Sequence, residues 1–234
     1  MSDPTTPPPA TPPPATLRLE RSAITDLGPI GRMTGLRELV IVRAPVSDLS
    51  PLSALADLET LGLRLTRITD LSPLAGLTRL KSLILSFTEV RDLSPLAGLV
   101  TLESLHLTGT LVADLTPLEG LARLERLDLG GTRVTDLAPL HGMTRLLGLQ
   151  LAGTGVTDLS PLAGMTSLRF LDLGDTPVSD VTPLSALTAL REIDLRGTKV
   201  VDVSPLSGLT GCMVITAMKP RIRNRQAKKS PAKF

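Results

Sequence analysis

The chain has 234 residues and a formal net charge of +2, with 25 Lys and Arg against 23 Asp and Glu. It has no Trp, no Tyr, three Phe and one Cys, so a core must be built from aliphatic side chains and no intramolecular disulfide or cysteine-based zinc cluster can form. Apolar residues make up 42%, a globular proportion that excludes wholesale disorder.

Residues 1–16 read as a Pro-rich disordered tail. Seven prolines fall between Pro4 and Pro14, which favours an extended, solvated chain. The segment has neither a basic start nor an apolar stretch, so it does not read as a secretory signal. No run of 18 apolar residues occurs in the chain, so no membrane-spanning helix is expected. A cytoplasmic protein is the expectation, with export by a route that needs no such signal as the alternative.

Residues 17–218 carry an internal repeat. Asp recurs at 26, 48, 70, 92, 114, 136, 158, 180 and 202, always 22 residues apart, and Pro follows each Asp by three positions. The unit reads D-L-S-P-L-A-G-L-T-x-L-x-x-L-x-L-x-x-T-x-V-x. The pair Leu105 and Leu107 exemplifies a period of two, one short strand with one buried face. Ser94-Pro95 and its equivalents read as an N-cap followed by the N1 proline of a short helical or 3-10 turn. Thr66, Thr88, Thr110, Thr132, Thr154, Thr176 and Thr198 form a second column, whose stacked hydroxyls are expected to bridge the backbone of successive turns. Each Asp carboxylate is placed to accept amide hydrogen bonds from the turn after it, a structural role rather than a calcium site. One unit cannot bury its own apolar face, whereas stacked units can. Nine units are expected, with partial ends. Leu17 and Leu19 supply an extra first strand, and Cys212, buried and inert, stands in a Leu column before a last strand at Ile215 and Ala217.

Residues 219–234 read as a basic disordered tail. Residues 1–218 hold 18 basic and 23 acidic residues, so the positive balance belongs to this segment. Lys219, Arg221, Arg223, Arg225, Lys228 and Lys229 make it a candidate contact for nucleic acid or an anionic surface. A second role for it would be to lie in the acidic face of its own solenoid or to drive self-association.

The motif L-x-x-L-x-L-x-x-T-x-V-x-D-L-S-P-L resembles the 22-residue leucine-rich repeat of bacterial internalins, over residues 17–218. The resemblance implies an α/β solenoid with a curved parallel sheet on the concave face and short 3-10 or helical turns on the convex face. It also implies a protein-binding role. The family's usual ladder Asn is Thr in this chain. The helical N-terminal cap, secretion signal and cell-wall anchor of internalins have no counterpart in the sequence.

No catalytic constellation, cofactor fingerprint or metal-ligand spacing is present in the sequence. His106 is placed on a strand and His141 on the opposite turn, so they cannot form a dyad. The variable positions are the outward residues of each strand. Their C-terminal portion collects His106, Arg126, Asp128, Gln150, Phe170, Asp172, Glu192, Asp194 and Arg196. An aromatic inside a charged patch is a binding anchor. The expected function is therefore noncatalytic protein binding through the concave face. The expected partner is a protein whose basic segment meets Asp128, Asp172, Glu192 and Asp194. The oligomeric state is left open.

Overall fold

The structure is a computed structural model and describes residues 15–216. Ten strands form one open sheet in which every neighbour is parallel and consecutive in the chain. They are β1 (Thr16–Glu20), β2 (Glu38–Val42), β3 (Thr60–Gly62), β4 (Ser82–Ile84), β5 (Ser104–His106), β6 (Arg126–Asp128), β7 (Gly148–Gln150), β8 (Phe170–Asp172), β9 (Glu192–Asp194) and β10 (Met213–Ile215). A four-residue helix, α1 (Gly28–Gly31), crosses back after β1, and 3-10 turns such as Ser94–Leu96 and Thr116–Leu118 cross back after β2 to β9. β1 starts inside the stretch expected to be a tail, and the Ala15 carbonyl accepts from the Arg37 and Glu38 amides. The other residues of the Pro-rich stretch and the whole basic tail lie outside the described residues.

From β1 to β9 the register holds at 22 residues, as in Leu83 beside Leu105 beside Leu127. The L-x-L leucines and the turn leucines meet in a single aliphatic core, with Leu83, Leu105, Leu107 and Leu118 fully buried. A parallel sheet needs a crossover, and here it is a short turn carrying its own buried Leu.

The turns are capped by Asp rather than by Ser or Thr, which correct to the first turn residue with no side-chain cap bond of their own. In all nine units an Asp Oδ1 accepts the amide two residues on, from Asp26 with Gly28 at 2.7 Å to Asp202 with Ser204 at 2.8 Å. The carboxylate thus satisfies an amide that the turn leaves orphaned.

The Thr column also differs from expectation. Each hydroxyl donates within its own unit, to the carbonyl three residues back, as Thr110 Oγ1 does to Leu107 O at 2.7 Å and Thr176 Oγ1 to Leu173 O at 2.6 Å. Backbone groups already join the units on either side of the Thr. The Gly109 amide donates to the Gly130 carbonyl at 2.7 Å and the Arg133 amide to the Val112 carbonyl at 2.8 Å. The buried hydroxyl instead shares a carbonyl with its own amide, as Thr110 N also donates to Leu107 O at 3.1 Å, and so is satisfied inside one turn.

The last rung slips. Met213 pairs with Glu192 and Val214 with Ile193, an interval of 21. Val214 rather than Ile215 takes the core column, and Ala217 lies outside the described residues. Cys212 keeps the Leu column, its amide donating to the Leu209 carbonyl as that of Leu190 does to Leu187. It is only half-buried. Burial first, and the Glu192 carboxylate second, push its thiol pKa up, which leaves little thiolate to react.

One turn column holds left-handed backbone in nine units. Arg21, Arg43, Leu65, Phe87 and Asp175 have φ of 50–59°, and Gly109, Gly131, Gly153 and Gly197 have φ of 64–72°. Side chains there carry strain that Gly avoids. Gly131→Ala meets no atom closer than 3.8 Å of its new Cβ in the related Gly153 geometry and 3.9 Å in its own, so the cost is backbone strain alone. It is expected to lower stability by about 1 kcal/mol, and Leu65→Gly to hold or raise it. Thermal unfolding followed by circular dichroism checks both, and a stabilising Gly131→Ala would contradict the strain argument.

Candidate functional site

Alternation along each strand sends residues such as Leu105 inward and Ser104 and His106 outward. On β7 the outward residues are Gly148 and Gln150, and a Cβ at Gly148 would have nothing within 4 Å. The register places Arg126 on one side of Gly148 and Phe170 on the other. The missing side chain therefore opens a hollow of about 560 Å3 over β6 to β9. All nine outward residues singled out from the sequence line it: His106 and Arg126 toward β5 and β6, Asp128 and Gln150 in the middle, Phe170 and Asp172 on β8, and Glu192, Asp194 and Arg196 at the far wall. Phe170 is 54% exposed.

The acidic row would repel itself, since Asp172 stands directly beside Asp194. Local bonds hold it in place. Asp128 Oδ1 accepts the Gly130 amide at 3.0 Å, Asp172 Oδ1 the Gly174 amide at 2.9 Å, and Asp194 Oδ1 the Arg196 amide at 2.9 Å. Gly174 eases this packing, because a Cβ there would come 3.1 Å from the Asp172 oxygen, while at Gly130 it would make ordinary contact with the Asp128 oxygen at 3.4 Å.

His106 Nε2 lies 2.9 Å from the Ser104 hydroxyl, and its Nδ1 lies 3.8 Å from Asp128 Oδ2. Burial pushes the Asp128 pKa up, but the neighbouring His106, Thr108 and the Gly130 amide outweigh it and hold the carboxyl below its ordinary value. Arg196 grips Asp194, its Nε donating to both carboxylate oxygens at 2.9 and 2.8 Å and a terminal nitrogen closing the fork. This pair lowers the Asp194 pKa and raises that of Arg196.

The acidic wall is thus partly neutralised from within the chain. Asp128, Asp172, Glu192 and Asp194 face Arg126, Arg169 and Arg196, leaving one net negative charge around the hollow. Asp172, Glu192, Arg126 and Arg169 make no ion pair among the described residues.

Arg169 was not among the sequence candidates. It belongs to the column just before each strand, with Arg37, Glu59, Lys81, Glu103, Glu125 and Arg191. The charges in that column were the available signal. Neighbouring rungs pair there, as Lys81 does with Glu59 at 2.6 Å. His141 sits exposed after the turn Ala138–Leu140, away from the hollow. The basic-tail candidates Lys219, Arg221, Arg223, Arg225, Lys228 and Lys229 lie outside the described residues. No helix among the described residues is long and apolar enough to cross a membrane.

The family pattern described as Leucine Rich repeats (2 copies) matches residues 56–98 and 166–208. No curated protein sequence matches the chain. Among solved structures, an internalin C2 of Listeria monocytogenes is 32% identical, with a TM-score of 0.74 over 76% of this chain and 79% of that one. An internalin of the F type from the same organism is 26% identical, with a TM-score of 0.56 over 86% of this chain and 73% of that one. A leucine-rich-repeat protein of Leptospira interrogans shares the fold at 22% identity, with a TM-score of 0.81 over 87% of this chain and 54% of that one. The repeat motif, the parallel open sheet and this likeness together make the chain a member of the internalin-type bacterial leucine-rich-repeat proteins.

Proposed function

We propose that the chain is a noncatalytic module that binds a protein partner through the concave hollow over β6 to β9. The observation that carries this reading is the gathering of the nine outward residues singled out from the sequence around one gap, with an exposed Phe170 beside it. Leucine-rich-repeat folds generally serve as protein-interaction scaffolds. Phe170 supplies the apolar anchor. The carboxylates fixed on backbone amides and on Arg196 lose little freedom on association, which favours binding. Asp172 and Glu192 are the acids left for a basic side chain of the partner, while Asp194 is committed to Arg196. Unpaired charges of both signs then select orientation more than they add affinity.

The test is affinity capture with the full chain, a Phe170→Ala, Glu192→Arg variant and a control, Arg123→Ala, in the exposed turn before β6 and outside the lining of the hollow. A partner held by the full chain and by the control should bind the concave variant at least about 30-fold more weakly, the loss expected of a central anchor. A chain ending at residue 218 should capture the same partner. Equal capture by the concave variant overturns the proposal.

A further inference from the structure

At the other end of the sheet a second, shallower hollow of about 250 Å3 lies among Glu20, Arg21, Val42, Arg43, Arg64 and Leu65. Arg21 and Arg43 occupy the left-handed turn column, one rung apart, with φ of 50° and 55°. Four other units fill that column with Gly. Arg is a strained choice there, and its cost brings no buried contact, since both side chains are exposed.

The backbone holds them in place. The Arg21 amide donates to the Val42 carbonyl at 2.8 Å, and the Arg43 amide to the Arg64 carbonyl at 3.0 Å. Arg64 is steadied by Phe87, whose ring centroid is 5.3 Å from its guanidinium carbon. Phe87 in turn rests on Gly109, where an added Cβ would come within 2.7 Å of the ring.

Some arginines of the solenoid pair with carboxylates, as Arg18 does with Glu38, Arg79 with Asp57 and Arg196 with Asp194, while others, such as Arg126 and Arg169, do not. Arg21, Arg43 and Arg64 make no ion pair among the described residues. Glu20 is the one carboxylate on the rim. Three guanidinium groups against one carboxylate leave two positive charges, with Val42 and Leu65 as an apolar wall.

We infer that this hollow binds a phosphate-class oxyanion, whose two negative charges and several acceptor oxygens match the three arginines that line it. Guanidinium forks bind such anions in paired, charge-assisted hydrogen bonds. The anion is either free or carried on a peptide, and the apolar wall favours the carried form. The site is separate from the concave hollow and stands whether or not that hollow binds a protein.

The experiment follows the arginine side-chain Nε–H signals of the full chain by nuclear magnetic resonance, in two titrations. One uses inorganic phosphate and the other a phosphoserine peptide. The signals of Arg21, Arg43 and Arg64 should move and saturate while that of Arg123 moves little. Tighter binding of the peptide identifies a carried phosphoryl group, and equal binding a free anion. Arg21→Gly with Arg43→Gly should weaken binding by about tenfold or more, the loss of two charged hydrogen-bond donors. Because Gly suits the left-handed backbone, the same variant should melt no lower than the parent, which separates lost binding from lost folding. Arg64→Gln provides an independent variant outside the strained column. The inference is overturned if the three signals move no more than that of Arg123, or if both variants bind as the parent does.

Discussion

Leu105→Ala is expected to lower the melting temperature by roughly 5–20 °C. Leu105 is fully buried on β5, the middle of the ladder, and pairs with Leu83 and Leu127. Removing three carbons from such a site costs about 3–5 kcal/mol, because the transfer free energy is lost and a cavity remains. In a domain of this size each kcal/mol shifts the midpoint by about 2–4 °C. The repeat geometry sharpens the effect, since every unit is stabilised chiefly by its two neighbours. A weak central unit therefore uncouples the halves, and the transition should broaden as well as shift. Leu19→Ala, at the half-buried first rung, should cost a fraction of this and leave the transition sharp. Calorimetry or circular dichroism checks both, since no Trp or Tyr is available for fluorescence. Equal effects at Leu19 and Leu105 would refute the neighbour-coupled picture.

Acid is expected to destabilise the solenoid below about pH 4. Asp48, Asp70, Asp92, Asp114, Asp158 and Asp180 each have a pKa lowered first by the Ser or Thr hydroxyl two residues on and then by its amide. In Asp202 the Ser204 amide leads and its hydroxyl follows. A carboxyl whose folded pKa lies below its unfolded one binds protons more readily when the chain is unfolded. Its contribution is complete above the unfolded value of about 3.9 and is lost as pH falls through the lower folded value. Seven such groups lose their bonds over one narrow range, so the losses accumulate along the array. Melting temperature measured from pH 7 to pH 2 should be level above about pH 5 and then fall sharply. A level profile down to pH 3 would show that the turns do not depend on charged Asp. Asp92→Asn keeps an acceptor for the Ser94 amide, so it should be milder than Asp92→Ala and should slightly flatten the acid limb.

The fold was legible because each column of the repeat has one physical task. The Leu columns must be buried, the Pro must begin a turn, and the Asp must accept the amide two residues on. The Thr column was harder to read. A hydroxyl reaches several acceptors, and Thr110 takes the carbonyl of Leu107, which its own amide already bonds, so the choice followed the local turn geometry and not the repeat spacing. The slip at Met213 left no mark, because Val214 and Ile215 are equally apolar and either suits the core column. The left-handed turn column was hidden for another reason. It mixes Gly with Arg, Leu, Phe and Asp, and only backbone angles unite them.

The candidate hollow was legible as a set of residues but not as a charge distribution. Alternation placed Asp172 and Asp194 on the same face. It did not show that Arg196 folds back onto Asp194, since that depends on a side-chain conformation. Nor did it show that Gly148, an ordinary small residue in the sequence, opens the space around which the others gather.

The constant register has a kinetic consequence. Every sheet pairing from β1 to β9 joins residues 22 apart, and the last joins residues 21 apart. Relative to a chain of 234 residues this is a contact order of roughly 0.1, in the range of helical bundles rather than β-sandwiches. Adding rungs lengthens the sheet without lengthening any loop that must close. A parallel sheet, ordinarily among the slower topologies to assemble, becomes one that can start at any pair of rungs and zip outward in both directions.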